Sequence, residues 1–243
     1  MTRMPVRTVV VVVPAHDEEL LLGRCLTALD RAVVRAEARG VRCVVRVVLD
    51  DCSDGSALVA ARHRAPVVSV AHAAVGYARA AGIADALEAV EDARGVWIAN
   101  TDADSAVPEN WITAQLDAAA AGADVYLGTV RPDFAELPAV YERHWRATHV
   151  RGRPAGNVHG ASLGIRAEVY DAVGGFGGLR EHEDVDLVTR ARAAGARVVA
   201  SDVAEVLTSG RFVGRTPGGY AEFVRRQAAV LMSGASTLSP AVR

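Results

Sequence analysis

The residues best suited to chemistry are two aspartates that are separated by a single residue. Asp102 and Asp104 lie in the run TDADS at 101–105, directly after the apolar run 96–99. Two carboxylates at this spacing can share one hard cation, because Mg²⁺ and Mn²⁺ prefer oxygen ligands and often complete their shells with substrate phosphates. Asp and Ser are also common in turns that cap a following helix. The spacing alone therefore leaves open a divalent-cation site and a solvated turn.

Two further acidic loops follow β-branched runs in the same way. They are PAHDEE at 14–19 and DDCSDGS at 50–56. Asp50 or Asp51 could accept a hydrogen bond from a nucleotide base or a ribose hydroxyl, although the same residues suit an Asx turn. The acids of the first loop also favour the start of a helix through its dipole. The functional and the structural interpretations both stay open for these loops.

A fourth acidic segment begins a predicted helix late in the chain. The run HEDVDL at 182–187 follows a glycine-rich loop at 174–178. Glu183 and Asp186 would complement the dipole of that helix. The same acids would also suit a base that faces a substrate, and such a base must lie within hydrogen-bond reach of the proton it takes.

The hydrophobic pattern indicates which elements position these loops. β-branched runs alternate with helical periodicity, which predicts a parallel sheet with helices on its faces. The predicted strands of the first half are 9–13, 44–49, 67–70 and 96–99, and the predicted helices are 20–39, one that ends at 62, and 78–93. Because the carboxyl ends of parallel strands lie at one edge of the sheet, where ligands bind, we expect the acidic loops to meet there.

The second half of the chain is less regular. Its predicted helices are 111–121, 167–173, 183–194 and 220–232, and its predicted strands are 124–129 and 197–200. The stretch 131–153 is polar and flanked by prolines, and we assign no element to it. Because the chain has no internal repeat and no low-complexity linker, we predict one α/β domain over residues 1–243.

Composition excludes several classes of protein. The chain has 243 residues and a formal net charge of −2, which argues against a nucleic-acid partner. All 27 basic residues are arginine, so chemistry that needs an amine side chain, such as a Schiff base, is excluded. The three cysteines, Cys25, Cys43 and Cys52, lack paired spacing and predict neither a disulfide framework nor a zinc site. The run 9–13 is too short to cross a bilayer and we recognise no signal peptide, so we expect a cytoplasmic protein without a transmembrane segment.

The order of the motifs resembles the inverting family-2 glycosyltransferases of the GT-A fold. The matching pieces cover roughly positions 8 to 200, and in chain order they read VVPAHDEE, VVLDDCSDGS, YARAAGI, NTDADS, HGASLGIR, VGGF and EDVDL. The resemblance implies a single GT-A-like domain with a mostly parallel central sheet flanked by helices. A Rossmann-like half that binds the nucleotide sugar would span about 8–106, and an acceptor-binding half with a C-terminal tail would span about 107–243.

The resemblance also implies roles on the donor side. The residues that would hold the base, the ribose and the rest of the donor are Pro14, Ala15, His16, Glu18, Asp51, Arg79 and Asp102. Asp104 would be the direct ligand of Mn²⁺ or Mg²⁺. Asp102 would lie closer to the ribose or to the waters of the metal ion.

On the acceptor side, the resemblance implies a base and a pocket. Asp184 would deprotonate the acceptor hydroxyl, and Glu183 would orient or contact the acceptor. His159 and Gly160 would line the pocket for the acceptor or the donor sugar. A sugar would then pass from a nucleotide-diphosphate sugar to a hydroxyl, with inversion.

The chain departs from the family pattern in two places. His16 and Asp17 stand where family members often have an aromatic residue and an asparagine, so the base contact is expected to differ. The tail TSGRFVGR only loosely resembles the basic C-terminal loop of the family. Because guanidinium groups recognise phosphate well, we infer that Arg211 or Arg215 helps to bind the diphosphate, with a solvated loop as the alternative.

Three alternatives to this assignment stay open. The helix at 220–232 is expected to pack against the domain, and peripheral membrane contact is its alternative role. The chain could be a non-catalytic nucleotide-sugar binder on the same fold. It could also be a nucleotidyltransferase, although the acidic loop at 16–19 does not resemble the glycine-rich, basic phosphate loop of such enzymes.

Overall fold

The first half of the molecule alternates strands and helices. The computed structural model describes residues 4–179, 181–215 and 218–234; the predicted domain also includes residues 1–3, 180, 216–217 and 235–243, which lie outside this description. The elements are β1 (Thr8–Ala15), α1 (Leu22–Glu37), β2 (Arg42–Asp50), α2 (Ser56–Arg62), β3 (Val67–Val70), α3 (Val75–Glu88) and β4 (Val96–Asn100). Each predicted strand and helix of this half is present, with bounds shifted by a few residues.

The second half adds four strands and five helices within the described ranges. These are β5 (Ser105–Ala106), α4 (Trp111–Ala120), β6 (Val125–Pro132), α5 (Ala139–Thr148), β7 (Leu163–Arg166), α6 (Ala167–Ala172), α7 (Glu183–Ala193), β8 (Val198–Thr208) and α8 (Tyr220–Met232). Short 3₁₀ turns cover Phe134–Glu136 and Gly160–Ser162. No helix in the described part of the chain is long and apolar enough to cross a membrane.

All the strands of the described residues form one sheet in the order β3-β2-β1-β4-β7-β6-β8-β5. The neighbours among β3, β2, β1 and β4 pair in parallel, and so do β6 and β8. β7 is antiparallel to both β4 and β6, and β5 is antiparallel to β8. This mostly parallel sheet with flanking helices confirms the predicted fold class, and it brings the carboxyl ends of β1, β2 and β4 to one edge.

Strand β1 forms the centre of the core because it is apolar on both faces. Val9, Val11 and Val13 pack in the cluster that contains α1 and α4. Val10 and Val12 pack in a second cluster with α3 and α7. A strand covered by helices on both sides reads as a continuous apolar run rather than an alternating one.

The structure contains a helix that we did not predict. Helix α5 lies inside the stretch 131–153, and Tyr141 is its one buried residue. Tyr141 packs with Val224 and Ala228 of α8 in a small third cluster. The apolar stripe of α5 is too narrow to signal a helix by periodicity, because the face that stabilises it is completed by α8, which is distant in sequence.

Strand β8 is much longer than the predicted strand 197–200. It runs to Thr208, paired first with β6 and then also with β5. Its register against β6 shifts between Gly128 and Val130, which marks a bulge. Bulges bend a strand and often lie next to functional sites. The extension carries the chain to Thr208, which contacts Asp104, as described below.

Candidate functional site

The loops after β1 and β2 are tied together at the edge of the sheet. Nδ1 of His16 lies 2.7 Å from the carbonyl oxygen of Asp50. The amide of Ser53 donates to Asp17 Oδ1 at 2.7 Å, and the amide of Glu18 donates to Ser56 Oγ at 2.9 Å. The first loop therefore has one fixed position relative to the second, and that position depends on polar side chains of both loops.

Asp50 and Asp51 are adjacent in sequence and differ in surroundings. The Asp50 carboxylate is buried and accepts three consecutive backbone amides, those of residues 72 to 74, at 2.7 to 2.9 Å. Asp51 is exposed and has a positive φ of 52°. Asp50 thus connects β2 to the loop before α3, and Asp51 is the one of the two whose side chain faces outward for a ligand.

The predicted donor contacts Pro14 and Ala15 lie inside β1. Both are buried, and they pair in parallel register with Val48 and Leu49 of β2. The carbonyl oxygen of Ala15 accepts the thiol of Cys52 at 3.3 Å. Pro14 and Ala15 therefore support the edge of the sheet from within β1, and their side chains do not extend toward a ligand.

Asp104 is half-buried in the loop after β4, directly before β5 and close to the end of β8. Its Oδ1 accepts hydrogen bonds from the hydroxyls of Ser105 and Thr208, both at 3.2 Å. Its Oδ2 lies 3.0 Å from Nη2 of Arg211. Burial raises the pKa of Asp104 to about 6, and the charge of Asp102 adds to this effect while Arg211 opposes it. Arg211 therefore offsets only part of the combined effect of burial and of the Asp102 charge on this pKa.

Arg79 of α3 connects the two ends of the predicted site. It is 2% exposed; its Nη2 lies 2.6 Å from Asp102 Oδ1, its Nε lies 3.3 Å from Glu183 Oε1, and its Nη1 donates to the Gly160 carbonyl at 3.3 Å. Burial lowers the pKa of Arg79, but Asp102, Glu183 and Asp184 raise it further, so the guanidinium stays charged. A buried arginine between carboxylates positions them and has little surface left for a diphosphate.

Asp184 is held by backbone amides at the start of α7. The amide of Gly160 donates to Asp184 Oδ2 at 2.7 Å, and the amide of Val185 donates to Oδ1 at 2.8 Å. A Cβ atom at position 160 would lie 2.2 Å from Nη2 of Arg79, so any larger residue would force the Arg79 side chain to move. The backbone of Gly160 contacts Arg79 through its carbonyl and Asp184 through its amide. These two contacts account for a glycine at this position without a contact to the acceptor or the donor sugar.

Glu183 turns inward while Asp184 does not. Glu183 is 6% exposed and pairs with Arg79; burial raises its pKa, although Arg79 opposes the shift. Asp184 is half-buried. The preceding residue, His182, has φ 59°, a left-handed conformation that is costly for a non-glycine residue. Helix α7 begins directly after this turn, with Glu183 and Asp184 as its first two residues.

Arg211 and Arg215, which we predicted to help bind the diphosphate, contact the first loop in this structure. Arg211 forms a bidentate pair with Glu18, with N–O distances of 2.5 and 2.9 Å. Arg215 lies 3.7 Å from Glu18 and donates to the Asp17 carbonyl. Glu18 is thus the partner of the tail arginines in this structure, and this pairing of residues 193 positions apart had no signal in the sequence.

His159 sits beside aromatic and acidic neighbours. Its ring contacts Tyr220 of α8 edge-on, with centroids 5.8 Å apart. Burial lowers the pKa of His159, while Asp184 and Asp102 raise it. Sequence reasoning missed Tyr220 and Thr208 as parts of the site, because only the long β8 and the docking of α8 bring them there.

Two groups of residues are candidates for a metal ion. Within the described ranges, the one group of three potential ligands is Asp17, Cys52 and Asp54, whose ligand atoms lie within 4.8 Å of one another. Asp17 and Asp54 already accept backbone amides, and a thiol is a soft ligand that a hard cation does not prefer. The pair Asp102 and Asp104 offers only hard oxygens, which are the ligands that these cations prefer. The second group fits Mn²⁺ or Mg²⁺ better.

Comparison with known proteins agrees with the fold and the motif order. A family profile described as "Glycosyl transferase family 2" matches residues 10–180. No curated protein sequence matches the chain. Among solved structures, the mannosyltransferase PcManGT from Pyrobaculum calidifontis, in complex with GDP-Man and Mn²⁺, has a TM-score of 0.63 and 16% identity, over 98% of this chain and 77% of that one.

Two further similar structures are bacterial. TarS of S. aureus has a TM-score of 0.58 and 16% identity over 95% of this chain, which spans only 40% of the TarS chain. Glucosyl-3-phosphoglycerate synthase from Mycobacterium tuberculosis, in complex with Mg²⁺ and UDP, has a TM-score of 0.55 and 16% identity, over 97% of this chain and 82% of that one. At these identities the structures establish a shared fold.

Proposed function

Because the chain belongs to glycosyl transferase family 2, we propose that it transfers a sugar from a nucleotide-diphosphate sugar to an acceptor hydroxyl with inversion, assisted by a divalent cation. One observation carries the proposal: Arg79 contacts both Asp102 and the Gly160 carbonyl, and the Gly160 amide contacts Asp184. A chain of three contacts, through Arg79 and Gly160, therefore links a member of the TDADS motif to the candidate base. The family membership favours sugar transfer over the nucleotidyltransferase alternative.

On the donor side, Asp104 and Asp102 are the residues proposed to hold Mn²⁺ or Mg²⁺. The cation would offset the charge that develops on the departing nucleoside diphosphate. Thr208 and Ser105 fix the orientation of the Asp104 carboxylate through their hydroxyls. PcManGT is described with Mn²⁺ and GDP-Man, and glucosyl-3-phosphoglycerate synthase with Mg²⁺ and UDP, which supports a cation and a nucleoside diphosphate at this fold's edge.

The nucleotide is proposed to lie over the loops after β1 and β2. Asp51 is exposed there and His16 is half-buried, so both can meet the base and the ribose. Arg211 is already within reach of Asp104, at 3.0 Å. We propose that Arg211 and Arg215 turn toward the diphosphate, since the guanidinium group matches phosphate oxygens.

On the acceptor side, Asp184 is proposed to take the proton of the attacking hydroxyl. The acceptor oxygen forms the new bond to the anomeric carbon, the bond from that carbon to the diphosphate oxygen breaks, and the proton ends on Asp184. Two backbone amides hold the Asp184 carboxylate, which keeps its orientation fixed for this step. Glu183 is proposed to act indirectly. It holds Arg79 in place between the donor side and the acceptor side of the site.

The test of this assignment is the variant Asp184→Asn. It keeps the size of the side chain and removes its basicity, so we expect transfer to fall by about 10²-fold or more, the usual scale for loss of a general base. Binding of UDP or GDP with Mn²⁺, measured by calorimetry, should stay within about threefold of the wild type, because the donor loops are untouched.

The matched control is Asp30→Asn, on the exposed side of α1. It removes the same charge and should leave both transfer and binding unchanged. An Asp184→Asn enzyme with full activity would move the base elsewhere. A product with retained anomeric configuration, read by NMR, would contradict the proposed inversion.

A further inference from the structure

A cavity of about 580 Å³ lies in the second half of the molecule, and His159 is among its lining residues. Its walls are β6, the end of α5, the following segment 149–157 and part of β8. A volume of this size is typical of pockets that bind small molecules. None of the acids proposed for the donor side lines it, so it is separate from the donor edge.

The cavity wall carries more positive than negative charge. Arg131, Arg146, Arg151 and Arg153 line it, against two acids, Asp202 and Glu205.

Two of these arginines already have partners. Arg131 pairs with Glu205 at 3.0 Å, and Arg146 pairs with Glu142 at 2.8 Å. In the part of the chain that the structure describes, the guanidinium groups of Arg151 and Arg153 have no ion pair or hydrogen bond. The wall therefore offers two adjacent guanidinium groups to a ligand.

The segment that carries Arg151 and Arg153 is fixed at three points. His149 stacks on Trp145, with centroids 4.0 Å apart and planes 6° from parallel. Gly152, between the two arginines, has φ 78° and donates its amide to the carboxylate of Asp202 on β8. The amide of Arg153 donates to the carbonyl of residue 150 at 3.0 Å. This turn places both arginines on the cavity wall. Its Gly152 amide also occupies the carboxylate of Asp202, which could otherwise pair with the arginines in place of a ligand.

The cavity reaches His159, which precedes the residue that contacts the proposed base. His159 lines it, and the following residue, Gly160, donates its amide to Asp184 at 2.7 Å. A molecule that fills the cavity can therefore hold one end against the arginine turn and extend the other toward Asp184.

We propose that this cavity binds the acceptor, and that the acceptor carries a phosphate or carboxylate group held by Arg151 and Arg153 while its hydroxyl faces Asp184. Guanidinium groups recognise both anions through charge-assisted hydrogen bonds, often in pairs. The inference rests on the proposed function, because it names the acceptor class for the same transfer. It extends that function from any hydroxyl to a hydroxyl on an anionic molecule.

The experiment uses three probes that differ only at one carbon: glucose 6-phosphate, glucuronate and glucose. Each is titrated by calorimetry into the chain saturated with Mn²⁺ and whichever of UDP or GDP binds, so that the donor side is already filled. We expect the two anionic probes to bind about tenfold or more tightly than glucose, the scale of one charge-assisted hydrogen bond. Vesicles of phosphatidylglycerol, with phosphatidylcholine vesicles for comparison, show whether the phosphate can belong to a lipid.

The double variant Arg151→Ala/Arg153→Ala should lose this preference for anions. Its matched control, Arg31→Ala/Arg35→Ala, removes the same charge from the exposed side of α1 and should retain it. Both pairs are exposed, so neither change disturbs the core.

Nucleoside diphosphate binding serves as the separate readout for the proposed function. If the diphosphate binds but the three sugars bind equally and the vesicles do not bind, the inference is overturned while the proposed function stands. Equal losses in the two double variants would also overturn it. If the diphosphate fails to bind, the proposed function fails, and the anionic probes still report on the cavity.

Discussion

Two pairs of acids differ in the direction of their pKa shifts. The pKa is lowered for Asp17 and Asp54, in the loops after β1 and β2, and raised for Asp104 and Glu183, which pair with Arg211 and Arg79. Backbone amides of Ser53 and residue 54 hold Asp17, and its pKa is lowered chiefly by the first of these. Burial raises the pKa of Asp54, but hydrogen bonds from Ser56 and the Glu19 amide bring it below the usual value.

Asp104 and Glu183 show the opposite shift. Burial raises the pKa of both, and their arginine partners offset it only in part. The first pair of acids thus stabilises a loop, whereas the second pair lies where burial disfavours the charged form in spite of an arginine partner. Groups whose pKa is shifted by burial near charged partners in a cleft are candidates for function. Acidic runs that look alike in the sequence therefore differ in the burial and the partners of each carboxylate.

The largest expected effect separates the two groups by activity. Asp104→Ala should lower transfer by about 10²-fold or more, the scale of losing an electrostatic contact to the reacting groups, and should abolish the effect of Mn²⁺ on nucleotide binding. Asp54→Ala should leave transfer within about threefold and reduce stability by about 1 kcal/mol, as loss of a capping residue does. Steady-state kinetics and urea unfolding check both. If Mn²⁺ affected nucleotide binding equally in Asp104→Ala and in the wild type, Asp104 would not be a ligand of the metal ion.

The next effect concerns the arginine that joins the two halves. Arg79→Met should lower the free energy of unfolding by about 3–5 kcal/mol, because Glu183 is left as a buried charge without its partner. Adding Glu183→Gln should recover part of the loss. Arg39→Met, which breaks an exposed pair with Asp117, should cost less than about 1 kcal/mol. Equal losses in the two single variants would show that Arg79 does not hold buried charges in place.

A smaller effect is expected at the glycine between Arg79 and Asp184. Gly160→Ala forces Arg79 to move, so we expect a loss of about 1–3 kcal/mol in stability, as overpacking usually costs, together with reduced transfer. Gly177→Ala is the control, because a Cβ there meets nothing within 4 Å. If Gly160→Ala behaved like Gly177→Ala in unfolding and in kinetics, close packing at residue 160 would have no role.

The smallest effect is in the pH dependence of stability. The pKa of Asp104 is raised from 3.8 to about 6, so the folded state binds more protons than the unfolded state between these values. Stability from this group is therefore present at low pH and falls as the pH rises from about 4 to about 6. Asp54 has a lowered pKa, so its contribution is present above its unfolded pKa of 3.8 and is lost as the pH falls below it.

The variants of the first prediction measure this difference in sign. Relative to the wild type, Asp104→Ala should gain stability as the pH rises from about 4 to about 6. Asp54→Ala should instead lose stability relative to the wild type as the pH rises through the acid range. Thermal unfolding at a series of pH values reads both slopes. Slopes of the same sign would contradict the contrast between the two groups.

Much of the first half could be predicted from local pattern. The β-branched runs predicted β1 to β4 because a strand with helices on both faces must be apolar throughout. From parallel strands it followed that the loops carrying His16, Asp51 and Asp102 share one edge. The second half was predicted less well, because α5 depends on packing against α8 and the length of β8 depends on pairing with β6 and β5. Such contacts join distant residues and leave no period in the sequence.

Local sequence patterns gave the order of strands, acidic loops and helices, the resemblance to the family, and the edge of the sheet where these loops meet. The burial and the partners of each carboxylate became visible only in the folded molecule. The fold buried Asp50 under three amides and left Asp51 exposed, and it set Glu183 on Arg79 and Asp184 on Gly160. The reason is physical: periodicity reports which face of an element is apolar, whereas the pKa and the role of an acid depend on burial and on partners that the chain brings from far away.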